Sequence, residues 1–355
     1  MNKISRLWAL VITISILALG AVVANSNSPS SAEGGCAGKA YVTDSKGTIV
    51  SVINTSTNTL STTIPVGNSP LGVAITPDGT KAYVTNYLDD TVSVINTATG
   101  AVSATISVGG APVGVAITPN GAFAYVTNEF DDTVSVITTA TNAVSAPITV
   151  GTSPQGVAIT PDGTKAYVAN DGSSNVSVIN TATNAVSPIA FPAPGTDPQG
   201  VAITPDGAFA YVTGQDDGGG RVTVIKTSTD TVSATLIAGF QPNGVAITPN
   251  GSFAYVTNEG DGTVSVINTA TNAVSAPISV GTDPAGVAIT PDGAFAYVAN
   301  GGDGTVSVIN TATNAVITTI PLAVGSGPQG VAICPGTVAP PVTPTDPAVV
   351  LKFTG

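Results

Sequence analysis

The sequence predicts an all-β chain built as a closed ring of seven four-stranded sheets, and three observations carry that prediction. Tyrosine recurs inside the phrase Ala-Tyr-Val at Tyr41, Tyr83, Tyr125, Tyr167, Tyr211, Tyr255 and Tyr297, at spacings of 42, 42, 42, 44, 44 and 42 residues. A second phrase, Gly-Val-Ala-Ile, begins at Gly72, Gly114, Gly156, Gly200, Gly244, Gly286 and Gly330. Between the two phrases lie only strand and turn signals, with no helical period. Tandem repeats of this length made of strands alone define a seven-bladed β-propeller, each blade a four-stranded antiparallel sheet.

One period shows why each element forms. Gly72 to Thr76 is a short apolar strand, A, and Pro77-Asp78-Gly79 turns the chain, with glycine at the φ > 0 position. Lys81 to Asn86 is strand B, followed by a polar loop over Leu88 to Asp90. Thr91 to Thr97 alternates Val92 and Val94 with Ser93 and is strand C. Ala98-Thr99-Gly100 turns into Ala101 to Val108, strand D, and Gly109 to Val113 crosses to the next repeat. Inner strands are apolar on both faces because each sheet lies between two neighbours.

The ends of the repeat array are complementary. The first repeat starts at a B strand, Lys39 to Asp44, whereas the last stretch, Gly330 to Ile333, is an A strand with nothing after it. A C-terminal A strand that completes the N-terminal B-C-D gives seven blades and removes an exposed sheet edge. Cys334 stands where Thr76 stands in the A–B turn, and Cys36 stands five before Tyr41, where Asp78 would be. Both fall in one turn of the composite blade, so a Cys36–Cys334 disulfide is expected in an exported chain. Two unpaired thiols are the competing reading. Lipid attachment at Cys36 is disfavoured, since Glu33-Gly34-Gly35 is a poor processing site.

Lys3 and Arg6 precede an uncharged run, Leu7 to Ala24, which ends in small residues. That order reads as a secretory signal peptide over residues 1–24, with an uncleaved anchor as the competing reading. Residues 25–38 are a Ser- and Gly-rich linker, 39–334 the propeller, and 335–355 a Pro- and Thr-rich tail expected to be extended. Removing Lys3 and Arg6 takes the net charge from −12 to −14. Such a balance disfavours nucleic acid and anionic membrane surfaces, and no membrane span is expected in the mature chain. The sequence contains no histidine, which excludes histidine general bases and histidine-ligated metal or haem sites.

Tyr83-Val84-Thr85-Asn86, Tyr125 to Asn128 and Tyr255 to Asn258 read YVTN, each with a Thr-Val-Ser-Val strand after it. The chain resembles the YVTN-repeat β-propeller family of prokaryotic surface-layer and other exported proteins, over Lys39 to Ile333. The resemblance implies the fold and an exported or cell-surface location. Lactonase and quinoprotein propellers are structural relatives, but their active residues break blade symmetry with His, Arg or clustered acids, and no matching set occurs here.

In a propeller the B–C loops and D–A crossings share one face, here the top. Fourteen acids fall on those segments, among them Asp44, Asp89 and Asp171, against Lys46 and Arg221 alone. The other face is nearly neutral. An acidic face collects cations, with Ca²⁺ ligands sought in Glu259, Asp261, Asp131 and Asp132, or docks a basic partner. The competing reading is that Asp, Asn and Gly serve the turns and keep the chain soluble.

Both two-residue insertions lie around the fifth blade, in the crossing Phe191 to Asp197 and the loop Gly214 to Gly220. Sites in repeat scaffolds sit where loops differ. The candidate ligand-binding residues are therefore Gln155, Phe191, Gln199, Asp216, Asp217, Arg221, Phe240 and Asn243, where Gln155, Gln199 and Asn243 precede the Gly-Val-Ala-Ile strands and should line the channel mouth. The expected function is an exported, non-catalytic interaction or scaffold module for an extracellular or envelope protein or glycan, with no cofactor required. The alternative is a lactonase-like hydrolase acting around the fifth blade. Adjacent solvent-facing acids such as Asp216 and Asp217 rarely acquire split pKa values, and no nucleophile with a paired base is visible.

Overall fold

The computed structural model describes residues 35–191, 197–216 and 219–336. The expected signal peptide and the tail beyond Gly336 lie outside the described residues.

Seven antiparallel sheets follow one another in the order A-B-C-D from the axis outward. Blade 1 pairs its A strand, Pro328–Ile333, with Lys39–Asp44, then Ile49–Asn54 and Thr59–Pro65. The C-terminal strand therefore closes the ring, with Ala40 opposite Ile333 and Val42 opposite Val331. The other A strands are Pro70–Ile75, Pro112–Ile117, Pro154–Ile159, Asp197–Ile203, Pro242–Ile247 and Pro284–Ile289, opening blades 2 to 7. Each A strand packs against the A strand of both neighbouring blades, from blade 1 round to blade 7 and back.

The core is seven apolar layers, one between each pair of blades. Tyr83, Val92, Val94 and Ile106 of blade 2 meet Ala124, Val126 and Ile137 of blade 3, and the same set recurs around the ring. The Ala-Tyr-Val phrase follows from this packing. Tyrosine faces the next blade and alanine leaves room for the tyrosine of the blade before, so large meets small. All seven tyrosines are fully buried, and buried hydroxyls need partners. The Tyr255 hydroxyl donates to Asn314 Oδ1 (2.7 Å) in the next blade's C–D turn, and Tyr297 does the same to Asn58 across the closure. At Tyr167 the acceptor is Asp230, which also holds Lys165 at 2.7 Å.

The glycine of Gly-Val-Ala-Ile is required by crowding at the axis. A Cβ there would lie 2.3 to 2.5 Å from the carbonyl oxygen of the neighbouring A strand, at every one of the seven positions. The strand-B threonine bridges the same junction: Thr85 Oγ1 accepts from Gly72 N (2.8 Å) and donates to Val113 O (2.8 Å) in the next blade. Ala169 and Ala299 take this place in blades 4 and 7, so those two junctions lack the bridge.

Outer strands are less regular than the one-period reading implies. Blade 3 has its D strand broken into Ala143–Val144 and Ile148–Thr149, and blade 6 retains Ile278–Ser279. Pro147 and Pro277 sit at these breaks. Proline cannot donate to a ladder and is tolerated at a sheet edge.

In six blades the A–B turn is closed by a threonine hydroxyl on an Asp or Asn, at 2.5 to 2.7 Å, as in Thr76 to Asp78 and Thr118 to Asn120. Blade 1 places Cys334 and Cys36 at these two positions, and they form a disulfide with Cα atoms 5.7 Å apart. The covalent bond replaces the hydrogen bond. Hydrogen bonds from the turn hold Asp162, Asp206 and Asp292 below the ordinary value of 3.8. At Asp78 burial pushes upward, yet the bonds from Thr76 and Thr80, with Lys81 nearby, still lower it. A carboxylate depressed on folding contributes stability above its unfolded pKa and loses it as pH falls through the folded value. Melting temperature should therefore fall as pH drops below 3.8. Replacing Asp78, Asp162, Asp206 and Asp292 with Asn, the residue already present at 120 and 250, should flatten that fall. An unchanged acid limb in a calorimetric pH series would show that other groups carry it.

Candidate functional site

The residues before each Gly-Val-Ala-Ile glycine face the axis at the top of the ring. Gln155, Gln199, Asn243 and Gln329 form a polar arc, and Leu71 and Val113 an apolar one, around a mouth of about 260 Å³. Beside it, over blades 4 to 6, lies a cleft of about 290 Å³ lined by Asp171, Asp197, Gln199, Gln215, Gln241, Pro242, Asn243 and Glu259. Gln199 and Asn243 belong to both, so mouth and cleft are continuous.

Two amide–carboxylate pairs order this cleft. Gln199 Nε2 donates to Asp171 Oδ1 (3.1 Å), and Asn243 Nδ2 donates to Glu259 Oε2 (2.9 Å). Burial raises the Asp171 pKa, the charges of Asp197 and Glu129 raise it further, and only the Gln199 bond opposes them. Ionised Asp171 is thus held in a repulsive setting that added positive charge would relieve. Burial raises the pKa of the Tyr87 hydroxyl, and the Glu129 charge raises it further.

Several other top-face acids have structural partners. Asp131 Oδ2 accepts from Gly110 N (2.7 Å), Asp132 Oδ1 from Ser153 N (2.9 Å), and Asp261 Oδ2 from Phe240 N (2.6 Å). These bonds clasp each B–C loop to a D–A crossing. Asp89 and Asp303 do the same and are held below the ordinary carboxylate range by their bonds to Asn68 and Thr282. Asp44 is not in a loop. It ends strand B of blade 1, is buried, and accepts from Gly327 N (2.7 Å). Its place is that of Asn86, Asn258 and Asn300, which accept from Gly67, Gly239 and Gly281 N. Among the described residues no group of three acidic or cysteine side chains is placed to hold a metal ion.

Of the residues singled out in the sequence, Gln155, Gln199, Asn243 and Glu259 line the mouth or the cleft. Phe191 packs on the apolar layer between blades 4 and 5. Phe240 lies against Gly260, half exposed. Arg221 pairs through its backbone with Gly214 and Ile237. Asp216 ends strand B of blade 5, its side chain is outside the described residues, and so is Asp217. Asp171, Asp197, Gln215 and Gln241 were not among the ligand candidates. The missed signal is positional: the first residue after strand B, here Asp171 and Glu259, turns toward the axis, and the next acids turn outward.

A ring of seven sheets with a polar mouth and an asymmetric acidic cleft defines a propeller with one differentiated sector on its top face. A family model described as "Lactonase, 7-bladed beta-propeller" matches residues 49–187, 103–241 and 203–328. The chain belongs to this family of seven-bladed lactonase-type propellers. No curated protein matches the chain. Among solved structures it is similar to hydrazine synthase of Kuenenia stuttgartiensis, at 26% identity and a TM-score of 0.72, over 78% of this chain and 94% of that one. A functionally unknown protein from Desulfotomaculum acetoxidans DSM 771 gives 19% identity and a TM-score of 0.72, over 84% and 99% of the two chains. Dihydro-heme d1 dehydrogenase NirN in complex with DHE gives 15% and 0.60, over 83% and 75%. These last two show the fold alone.

Proposed function

We propose that the chain is an exported, non-catalytic binding module of the cell surface or extracellular space, taking a cationic group of an envelope protein or glycan in the blade 4–6 cleft. The observation that carries this reading is the gathering of Asp171, Asp197 and Glu259 with four side-chain amides in one concavity. It lies on the arc where the repeats depart most from one another. Its lining offers many acceptors, and a raised carboxyl within it favours ligands that bring positive charge. Export is supported by the Lys3–Ala24 segment and by the disulfide, which suits an oxidising compartment. Among the described residues no helix is long and apolar enough to cross a membrane.

A second reading, hydrolysis, is favoured by the family match and by the raised Asp171, which has the character of a proton donor. Against it, both cysteines are tied in the disulfide and there is no histidine.

Titration with 1,4-diaminobutane at low ionic strength tests the reading by calorimetry. Asp171→Asn combined with Glu259→Gln should weaken binding at least about tenfold, as loss of a charge partner does. Asp78→Asn on the opposite face should leave it unchanged. Equal affinity in the double variant would remove the cleft as the site, and lactone turnover lost on Asp171→Asn would establish the hydrolase instead.

A further inference from the structure

We propose that Tyr87, Leu88 and Phe130 form a second docking surface, for a basic amphipathic peptide segment that presents apolar side chains flanked by lysine or arginine. The site lies on blades 2 and 3 and uses side chains other than those lining the blade 4–6 cleft.

The B–C loops begin Tyr87-Leu88 in blade 2 and Glu129-Phe130 in blade 3. The corresponding residues elsewhere are Ser45-Lys46, Asp171-Gly172, Gln215-Asp216, Glu259-Gly260 and Gly301-Gly302. The turn therefore needs no apolar side chain at these places. Leu88 is nonetheless 70% exposed and Phe130 73% exposed, so neither contributes much to the core. The Tyr87 and Phe130 rings meet edge to face across the blade boundary, 5.8 Å between centroids. That contact joins the two loops into one patch. A contiguous apolar patch with no structural duty marks an interaction surface.

The rim says what covers it. Asp89 accepts from Asn68 N and Nδ2, both at 2.7 Å, and Asp131 from Gly110 N at 2.7 Å. The Glu129 charge is felt at the Tyr87 hydroxyl, whose pKa it raises after burial. Asp89 and Asp131 are thus anchored next to Leu88 and Phe130 in the chain, so the apolar centre carries fixed negative charge at its rim. A second copy of the same face would bring like charges together, and an anionic lipid surface would be repelled. A segment with apolar residues between cationic ones satisfies both parts. Because the loops are already tied to the crossings, docking orders little that is not ordered beforehand.

The test uses the full chain and a fluorescein-labelled peptide of alternating lysine, leucine and phenylalanine, read by anisotropy. Two control peptides replace Lys with Glu, or Leu and Phe with Ser. The Lys/Leu/Phe peptide should bind, and each control should bind at least about tenfold more weakly. Leu88→Ser with Phe130→Ser should lose at least about tenfold in affinity at an unchanged melting temperature. Asp171→Asn with Glu259→Gln should leave the affinity ratio of the Lys/Leu/Phe peptide to its serine control unchanged, which separates this surface from the cleft. The proposal is overturned if the peptide does not bind, if the serine control binds equally well, or if the Leu88/Phe130 variant keeps its affinity. Concentration-dependent dimerisation abolished by the same variant would overturn it in favour of a second copy.

Discussion

With Cys36 and Cys334 both changed to serine, the chain should remain a propeller but melt far below the wild type. The bond joins residues 298 apart, and closing so long a loop constrains the unfolded chain by up to about 5 kcal/mol in the entropic account. For a domain of this size that corresponds to a shift on the order of 10 °C. The native state adds a local reason. Cys36 O accepts from Lys39 N and Cys334 N donates to Lys39 O, both at 3.0 Å, so the bond pins strand A of blade 1 where it meets strand B. Without it that strand is held by its ladder to Lys39–Asp44 and by the hub. Calorimetry with and without reductant checks this: reduced wild type and the double variant should coincide. A double variant as stable as oxidised wild type would mean that the ring closes without help from the staple.

Gly156→Ala and Gly286→Ala should each cost about 1–3 kcal/mol, the usual penalty of overpacking. The new Cβ would stand 2.5 Å from Gln199 O and 2.3 Å from Gln329 O. These atoms are backbone, held from the far side by their own sheets, so no rotamer change relieves the clash. The two junctions also lack the bridging threonine, which leaves packing as their main tie. Gly110→Ala, whose nearest neighbours are the Asp131 and Phe130 side chains at 3.2 and 3.5 Å, should change stability by no more than about 0.5 kcal/mol. Chemical denaturation of the three variants separates crowding at the axis from glycine loss in general. Equal, small effects would contradict a close-packed hub.

The ring and its closure were legible because every repeat meets the same surroundings. Tyrosine, alanine and glycine recur where each blade presents the same face to its neighbour, and the unmatched terminal strands leave one way to pair. The Thr–Asx turn explains in hindsight why two cysteines at those positions meet. The cleft was legible only in part. Gln199 and Asn243 stood out because they vary at a fixed place in the repeat, whereas Asp171 did not, because inward and outward loop acids look alike in sequence. Only geometry shows that Asp131 and Asp261 bond the crossings while Glu259 faces the cleft. Leu88 and Phe130 were hidden for a related reason: among Asp and Asn their loops read as polar, and exposure of an apolar side chain is not written in its neighbours. Asp44 was counted with the loop acids although it ends strand B of blade 1, where blades 2, 3, 4, 6 and 7 put Asn.

Hydrogen exchange of the full chain, with and without saturating 1,4-diaminobutane, is the most direct test of a binding cleft on the top face. Backbone amides of Asp197, Gln199, Gly200, Gln241, Asn243, Gly244 and residues 258–260 should exchange more slowly with the diamine present, while the A–B turns on the opposite face stay as they were. Protection confined to those turns, or none anywhere at saturating diamine, would contradict the account.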